Sequence, residues 1–381
     1  MTKRVIALDA LRGLAVAGMI LANSPGSWTH LYEQLDHAAW NGFTATDMVF
    51  PTFLFSVGVA IGLSFPRRLT EEDRARSWSR LFRRTLALIA LGLALNLLSS
   101  LSLAEWRLPG ILQRIALCYA IGTGLVLLTA RRRTDGHATI NLAAIGAAIL
   151  LLLLLYWALL TFVPVPGFGP GRLDPEGNLT AFLDRSLFST EHLWSLGTNA
   201  NGDVVYDPEG LLSTLPATVN VLIGVLAGWA WKQAPAARGM MVLAVAGILL
   251  VVAGLMLDPL FPINKRIWTS SFALLSSGVS MILFALLALL LRSHAAHVAA
   301  YPLRVLGGNA TLAFVLSILL DIFSTYPVLR GTQTPQAWGM ALAQTMIADP
   351  KLASLACAVA ILILITALLW PLHRRAIHFR L

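Results

Sequence analysis

Ten long apolar runs recur along this chain and constrain its fold more than any motif does: residues 5–22, 48–65, 85–103, 110–130, 140–163, 211–231, 240–257, 267–291, 303–323 and 352–372. A helix rises about 1.5 Å per residue, so each run can cross a hydrocarbon core of about 30 Å. With 57% hydrophobic and 12% charged residues among 381, a water-soluble globule would lack the polar surface to cover itself. The chain reads as an all-α integral membrane protein of about ten transmembrane helices.

Orientation follows from where Lys and Arg fall. With a cytoplasmic N-terminus, the inside segments collect Lys3, Arg4, the arginines of 67–84 and 131–133, Lys232, Arg238, Arg292, Arg374, Arg375 and Arg380. The other face holds Arg107, Arg172, Arg185, Lys265, Arg266, Arg330 and Lys351. The positive-inside rule therefore predicts both termini in the cytoplasm. The net charge of +9 is explained by these loops, which also meet anionic lipid head groups, and it does not argue for nucleic acid. Lys3 and Arg4 before an apolar run imitate a secretory signal, but Asp9 and Arg12 interrupt that run and no small-residue cleavage site is clear, so it reads as the first span.

Residues 1–381 read as a single polytopic domain, without a low-complexity linker, an internal repeat or the inverted pair of many transporters. Three polar segments on the non-cytoplasmic side are too hydrophilic to span: 23–47, 164–210 and 324–350. Cys118 and Cys357 each sit inside an apolar run, which predicts packing residues and neither a disulfide framework nor a metal site. His294 and His297 have helical spacing but no third ligand, so no metal is expected.

The segment 23–47, NSPGSWTHLYEQLDHAAWNGFTATD, puts histidines, acids and indoles between two spans. His37 is the first catalytic candidate. Imidazole titrates near 6.5, so it can take a proton from a nucleophile or itself attack an acyl group near neutral pH. The alternative is a loop histidine that caps a turn or faces water; His30 competes on similar grounds. Asp47, at the entry to the second span, either orients a histidine or binds a sugar hydroxyl, or else caps the helix. Asp207 and Glu209 in YDPEG would accept from sugar hydroxyls or an ammonium group, or sit in a solvated turn. Asn264 and Lys265 in PINKR lie on the same face, with Lys265 an expected ion partner for one of those acids. Gln113 and Arg114 begin the fourth span, where an arginine must snorkel, pair or meet an anionic ligand. Asp9 and Arg12 are one turn apart and either pair or hold a phosphate-bearing donor. There is no phosphate-binding P-loop, dinucleotide fingerprint or nucleophile elbow, which demotes ATPases, nucleotide oxidoreductases and common lipases.

Taken together, the blocks LDALRG, MILANSPGSW, LDHAAWNGFTATDMVFPTFLFSVG, GILQRIALCY, YDPEGLLSTLPA and PINKRIWTSSF resemble the heparan-α-glucosaminide N-acetyltransferase family and its bacterial NagX-like and YeiB-type relatives. The resemblance implies a multispan enzyme that takes acetyl groups from cytoplasmic acetyl-CoA and delivers them to an amino sugar at the opposite face. It implies His37 as the catalytic histidine and Asn23 as the functional asparagine of the first loop. A broader membrane-acyltransferase pattern, an arginine followed by ten residues and a histidine, meets Asn23 when counted from Arg12, so the histidine role passes to His37.

The large soluble lumenal region of the animal enzyme has no counterpart before Val5. That points to a bacterial envelope sugar, free glucosamine or a muropeptide fragment as acceptor, in the inner (plasma) membrane. Under this reading His37, Asn23 and Asp47 are catalytic; Trp40, Asp207, Glu209, Asn264 and Lys265 bind acceptor; Arg12, Gln113 and Arg114 bind acetyl-CoA. Membrane lipids are expected partners and a homodimer an expected assembly. The rival reading is an amino-sugar or oligosaccharide permease, with Trp28, Trp40 and Trp194 stacking on sugar rings.

Overall fold

The computed structural model of the chain describes residues 5–66, 70–132, 137–234, 236–325 and 334–379. Lys3, Arg4, Arg67, Arg68, Arg133, Arg330 and Arg380 of the charge pattern, and 326–333 of the third polar segment, lie outside the described residues. The elements are, in order, α1 (Ile6–Asn23), α2 (Val49–Ser64), α3 (Glu71–Ser100), α4 (Ile111–Thr129), a short hairpin of β1 (Arg131–Arg132) and β2 (Ala138–Thr139), α5 (Leu142–Phe162), α6 (Leu179–Phe188), α7 (Thr214–Gln233), α8 (Ala236–Leu257), α9 (Ser270–Leu290), α10 (His294–Ala299), α11 (Tyr301–Gly308), α12 (Ala310–Thr325), α13 (Pro335–Met346) and α14 (Pro350–Arg374). Among the described residues nine helices are long and apolar enough to span a membrane. The protein is an all-α multi-pass membrane protein, as the apolar runs predict.

Two boundaries differ from the reading of the runs. The expected ninth span, 303–323, is α11 and α12, bent by 87° at Asn309. Hydropathy cannot register the cause. The Asn309 side chain accepts from the Phe379 backbone N–H at 2.9 Å and donates to the Ile377 carbonyl at 3.1 Å, tying the break to the C-terminal segment. The third span starts well before residue 85, because Thr70 and Asp73 form a reciprocal capping box that launches α3 at Glu71. At 30 residues, about 45 Å by helical rise, α3 carries its basic first half beyond a hydrocarbon core of about 30 Å.

Between lipid-soluble helices the hydrophobic effect supplies little association, so close packing and interhelical hydrogen bonds must do it. The central pair α2 and α7 meets through glycines four apart on each side, Gly58 and Gly62 against Gly224 and Gly228. A methyl group at Gly58 would lie 1.9 Å from the Val221 carbonyl oxygen, and one at Gly224 would lie 2.2 Å from that of Phe55. Helix α9 joins this pair through polar contacts. Asn220 of α7 donates to Ser276 Oγ and Ser277 Oγ at 3.0 and 2.9 Å, and Thr52 of α2 meets Ser280 at 2.9 Å. The N-terminal ends of α2, α4, α7 and α9 open on one face, because the segments preceding them bond to one another there. Aligned peptide dipoles make these ends electropositive.

Candidate active site

The site is assembled from the stretches that precede those helix ends. Asp47 lies in a single 3-10 turn, Thr46–Met48, that leads into α2, and it is 1% exposed. Its Oδ2 accepts from the backbone N–H groups of Ala38 at 3.1 Å and Thr44 at 3.0 Å, and from Thr44 Oγ1 at 3.2 Å. Its Oδ1 stands 2.7 Å from His37 Nδ1. The carboxylate therefore folds the 38–44 loop back on itself and fixes the imidazole at its edge. With Nδ1–H donated to Asp47, the Nε2 lone pair is available as a base, and the ring is 30% exposed.

Lys265 completes the group. Its Nζ lies 3.0 Å from His37 Nδ1, 3.4 Å from Nε2 and 3.5 Å from Asp47 Oδ1. Near-equal distances to both ring nitrogens mean that the ammonium lies across the ring, not along one lone pair. The sequence reading expected Lys265 to pair with Asp207 or Glu209; instead it meets Asp47, and Arg107 takes those two acids. Burial, together with Lys265 and Arg266, holds the His37 pKa below its ordinary value against the opposing pull of Asp47. Burial also lowers the Lys265 pKa.

Asn264 is the hinge that brings Lys265 to His37. Its Nδ2 donates to Asn41 Oδ1 at 3.0 Å, its Oδ1 accepts from the Ile267 N–H at 3.0 Å, and the neighbouring Ile263 carbonyl accepts from the Gly42 N–H at 2.8 Å. Trp268 takes a left-handed φ of 51°, uncommon for a bulky residue. That turn sends its indole N–H to Asn220 Oδ1 at 3.0 Å, so the Lys265 segment is pinned to the α7–α9 core.

Beside this group stands an ion network. Arg107 forks onto Asp207 with bonds of 2.8 and 2.6 Å and also reaches Glu209. Asp207 further accepts from the N–H groups of Trp194 and Glu209, both at 2.9 Å. Burial raises the Glu209 pKa, but Arg107 and Arg114 hold it below its usual value. Trp40 donates its indole N–H to the Leu173 carbonyl at 2.9 Å and meets Tyr206 edge-on at 5.1 Å, which joins segment 23–47 to segment 164–210.

The three residues read as binding acetyl-CoA do not share one place. Arg114, 1% exposed, donates to the Gly210 carbonyl at 2.8 Å and to Ser213 Oγ, and its guanidinium lies 5.2 Å from the Trp268 ring. Its Nε and Nη1 are buried and without a hydrogen bond, as is Nε of Arg266. Gln113 donates to the Leu108 carbonyl at 3.1 Å and shapes the turn into α4. Arg12 reaches toward the Ser56 carbonyl at 3.5 Å, eleven residues before Asn23; at helical rise that is about 16 Å deeper along α1. Asn23 is half-buried at the C-terminal end of α1, and no hydrogen bond joins it to His37 or Asp47.

Sequence reading missed Arg107 and Asp184 as members of this face. Arg107 stood out only as a charge on the disfavoured side. Asp184 is a buried acid in a short amphipathic helix, where it accepts from the Leu211 N–H at 2.9 Å. An open cleft of about 360 Å³ lies elsewhere, between 26–28 and α13, and shares no lining residue with the His37 group.

Comparison with known proteins bears on this face directly. The family model described as heparan-alpha-glucosaminide N-acetyltransferase, catalytic, matches residues 4–168, which include Asn23, His37, Asp47, Arg107 and Arg114. The human protein named heparan-alpha-glucosaminide N-acetyltransferase is 32% identical over 255 residues, 59% of this chain and 38% of the human one. The mouse protein of the same name is 29% identical over 308 residues, 71% of this chain and 46% of the mouse one. The matched part thus spans less than half the length of these relatives.

Proposed function

We propose, from the match of residues 4–168 to the family model described as heparan-alpha-glucosaminide N-acetyltransferase, catalytic, that this protein is a membrane acyltransferase moving an acetyl group from acetyl-CoA to the amine of an amino sugar. The observation that carries the reading is the buried Asp47 carboxylate 2.7 Å from His37 Nδ1. A carboxylate on Nδ1 selects the tautomer whose Nε2 can accept a proton, the arrangement that general-base acyl transfer requires.

His37 Nε2 takes the proton from the sugar amine as its nitrogen attacks the thioester carbonyl. The C–N bond forms, the tetrahedral carbon collapses, the C–S bond breaks and the proton passes to the departing thiolate. In the two-step variant Nε2 itself attacks the thioester, the C–S bond breaks to release the thiolate, and the acyl-imidazole is then cleaved by the sugar amine, whose C–N bond forms as the acyl–Nε2 bond breaks and whose proton passes to the thiolate. Asn23 and the unpartnered N–H groups of Arg114 and Arg266 are the donors assigned to the thioester carbonyl, the developing oxyanion or the anionic end of the donor. Trp40, Asp207, Glu209 and Asn264 shape the acceptor side. Residues 1–381 act as one membrane domain in the inner (plasma) membrane, both termini cytoplasmic, with the His37 face periplasmic and the donor drawn from the cytoplasm, and two copies forming the assembly.

The test is reconstitution in vesicles with labelled acetyl-CoA on the cytoplasmic side and glucosamine on the other, comparing wild type with His37→Ala. Labelled N-acetylglucosamine from wild type alone is the expected result. Equal product from both proteins removes His37 from the mechanism. Glucosamine flux without acetylation, unchanged by His37→Gln, establishes the permease instead.

A further inference from the structure

Lys265 is the unusual member of the His37 group, because Asp47 alone would complete a histidine–carboxylate pair. Such a pair favours imidazolium, and an imidazolium is no base. The structure puts a second ion against the same ring. Lys265 Nζ stands 3.0 and 3.4 Å from the two ring nitrogens, and the lysine side chain is 13% exposed. Its position is imposed by backbone, not by chance packing. The Lys265 carbonyl accepts from the Trp268 N–H at 3.1 Å, the Asn264 carbonyl accepts from the Thr269 N–H at 3.0 Å, and Gly42 bonds to Ile263 at 2.8 Å. The turn that carries the ammonium is thereby fastened to the loop that carries the imidazole.

We infer that Lys265 is a positioning residue for His37, an ammonium laid across the ring to keep the imidazole neutral while Asp47 holds its proton on Nδ1, and not a ligand for the acceptor. The catalytic part of this inference rests on the acyltransferase reading. The charged groups that face the ring or its cation from each packed element are accounted for. Asp47 precedes α2 and bonds Nδ1. Asp36 accepts the His37 backbone N–H at 2.7 Å. Arg266 precedes α9 and adds positive potential at the ring, and Glu209 precedes α7 and acts on Lys265. Of these, Asp47 and Lys265 are the two in contact with the imidazole, and their charges oppose. Removing the ammonium leaves Asp47 opposed only by burial and by the more distant Arg266, so the ring holds its proton to higher pH.

The inference is tested without relying on acetyl transfer. Diethyl pyrocarbonate acylates neutral imidazole, and the His37 peptide can be quantified by mass spectrometry across pH in the full-length protein. Lys265→Met and Lys265→Gln remove the charge with similar chain length, and Lys265→Arg retains it. The midpoint of His37 modification should rise by about one pH unit or more in Met and Gln, close to tenfold slower modification on the acid side, and stay near wild type in Arg. An unmoved midpoint in whichever neutral variant folds, judged by gel filtration, overturns the inference. In the transfer assay the acid limb of kcat/KM should shift likewise while KM for glucosamine stays within about twofold. A KM increase with an unmoved acid limb makes Lys265 an acceptor ligand and also overturns it. If wild type transfers no acetyl group at all, the acyltransferase reading falls, and the modification midpoints still decide whether Lys265 sets the charge of the ring.

Discussion

Asp47→Asn separates the structural from the chemical work of one carboxylate. The side chain is 1% exposed and serves four donors, three on Oδ2 and His37 on Oδ1. An asparagine there has two orientations. With its NH2 toward Ala38 and Thr44, it leaves two backbone N–H groups buried and unmatched, at about 1–3 kcal/mol each. With its carbonyl toward them, the loop keeps its acceptor and the NH2 points at His37 Nδ1. The second orientation is cheaper, so the loop should survive with the loss of one charge-assisted bond, about 1.5–3 kcal/mol. An NH2 donating to Nδ1 forces the proton onto Nε2, and the base is gone. Acetyl transfer should then fall by about 10²–10⁴-fold, the usual range for a general base. The assay is labelled-acetyl transfer in vesicles, run beside thermal unfolding of the same preparation. Transfer within about threefold of wild type would refute the tautomer argument, and complete loss of the folded state would refute the choice of orientation.

Three further outcomes test the frame around the site. Arg107→Met strips the partner from two buried carboxylates, so it should lower stability by about 3–5 kcal/mol, seen as a lower melting temperature and poorer yield. Gly58→Ala drives a methyl group to 1.9 Å from the Val221 carbonyl and should destabilise by about 1–3 kcal/mol or more. Gly146→Ala in α5 meets nothing within 4 Å and should stabilise by up to about 1 kcal/mol in the same unfolding measurement, through helix propensity alone.

Spans, polar segments and the residues worth suspecting were legible in the chain, because membrane helices are written as uninterrupted apolar length and reactive groups stand out against it. His37, Asp47 and Lys265 could each be nominated from local context. Their grouping could not: Lys265 lies 228 residues from His37, and nothing in either neighbourhood specifies the other. The pairing of Arg107 with Asp207 across 100 residues was equally silent, and local reading therefore assigned the wrong partner to those acids. The break at Asn309 was hidden for a similar reason, since hydropathy averages over a residue whose hydrogen bonds go to a segment some seventy positions away. Composition by itself determined that this protein is a bundle of helices in a membrane, because hydrocarbon accepts few other backbones. Only the tertiary structure decided which helix ends share a face, because that depends on the glycine-lined approach of α2 to α7 and on side chains that find partners through space.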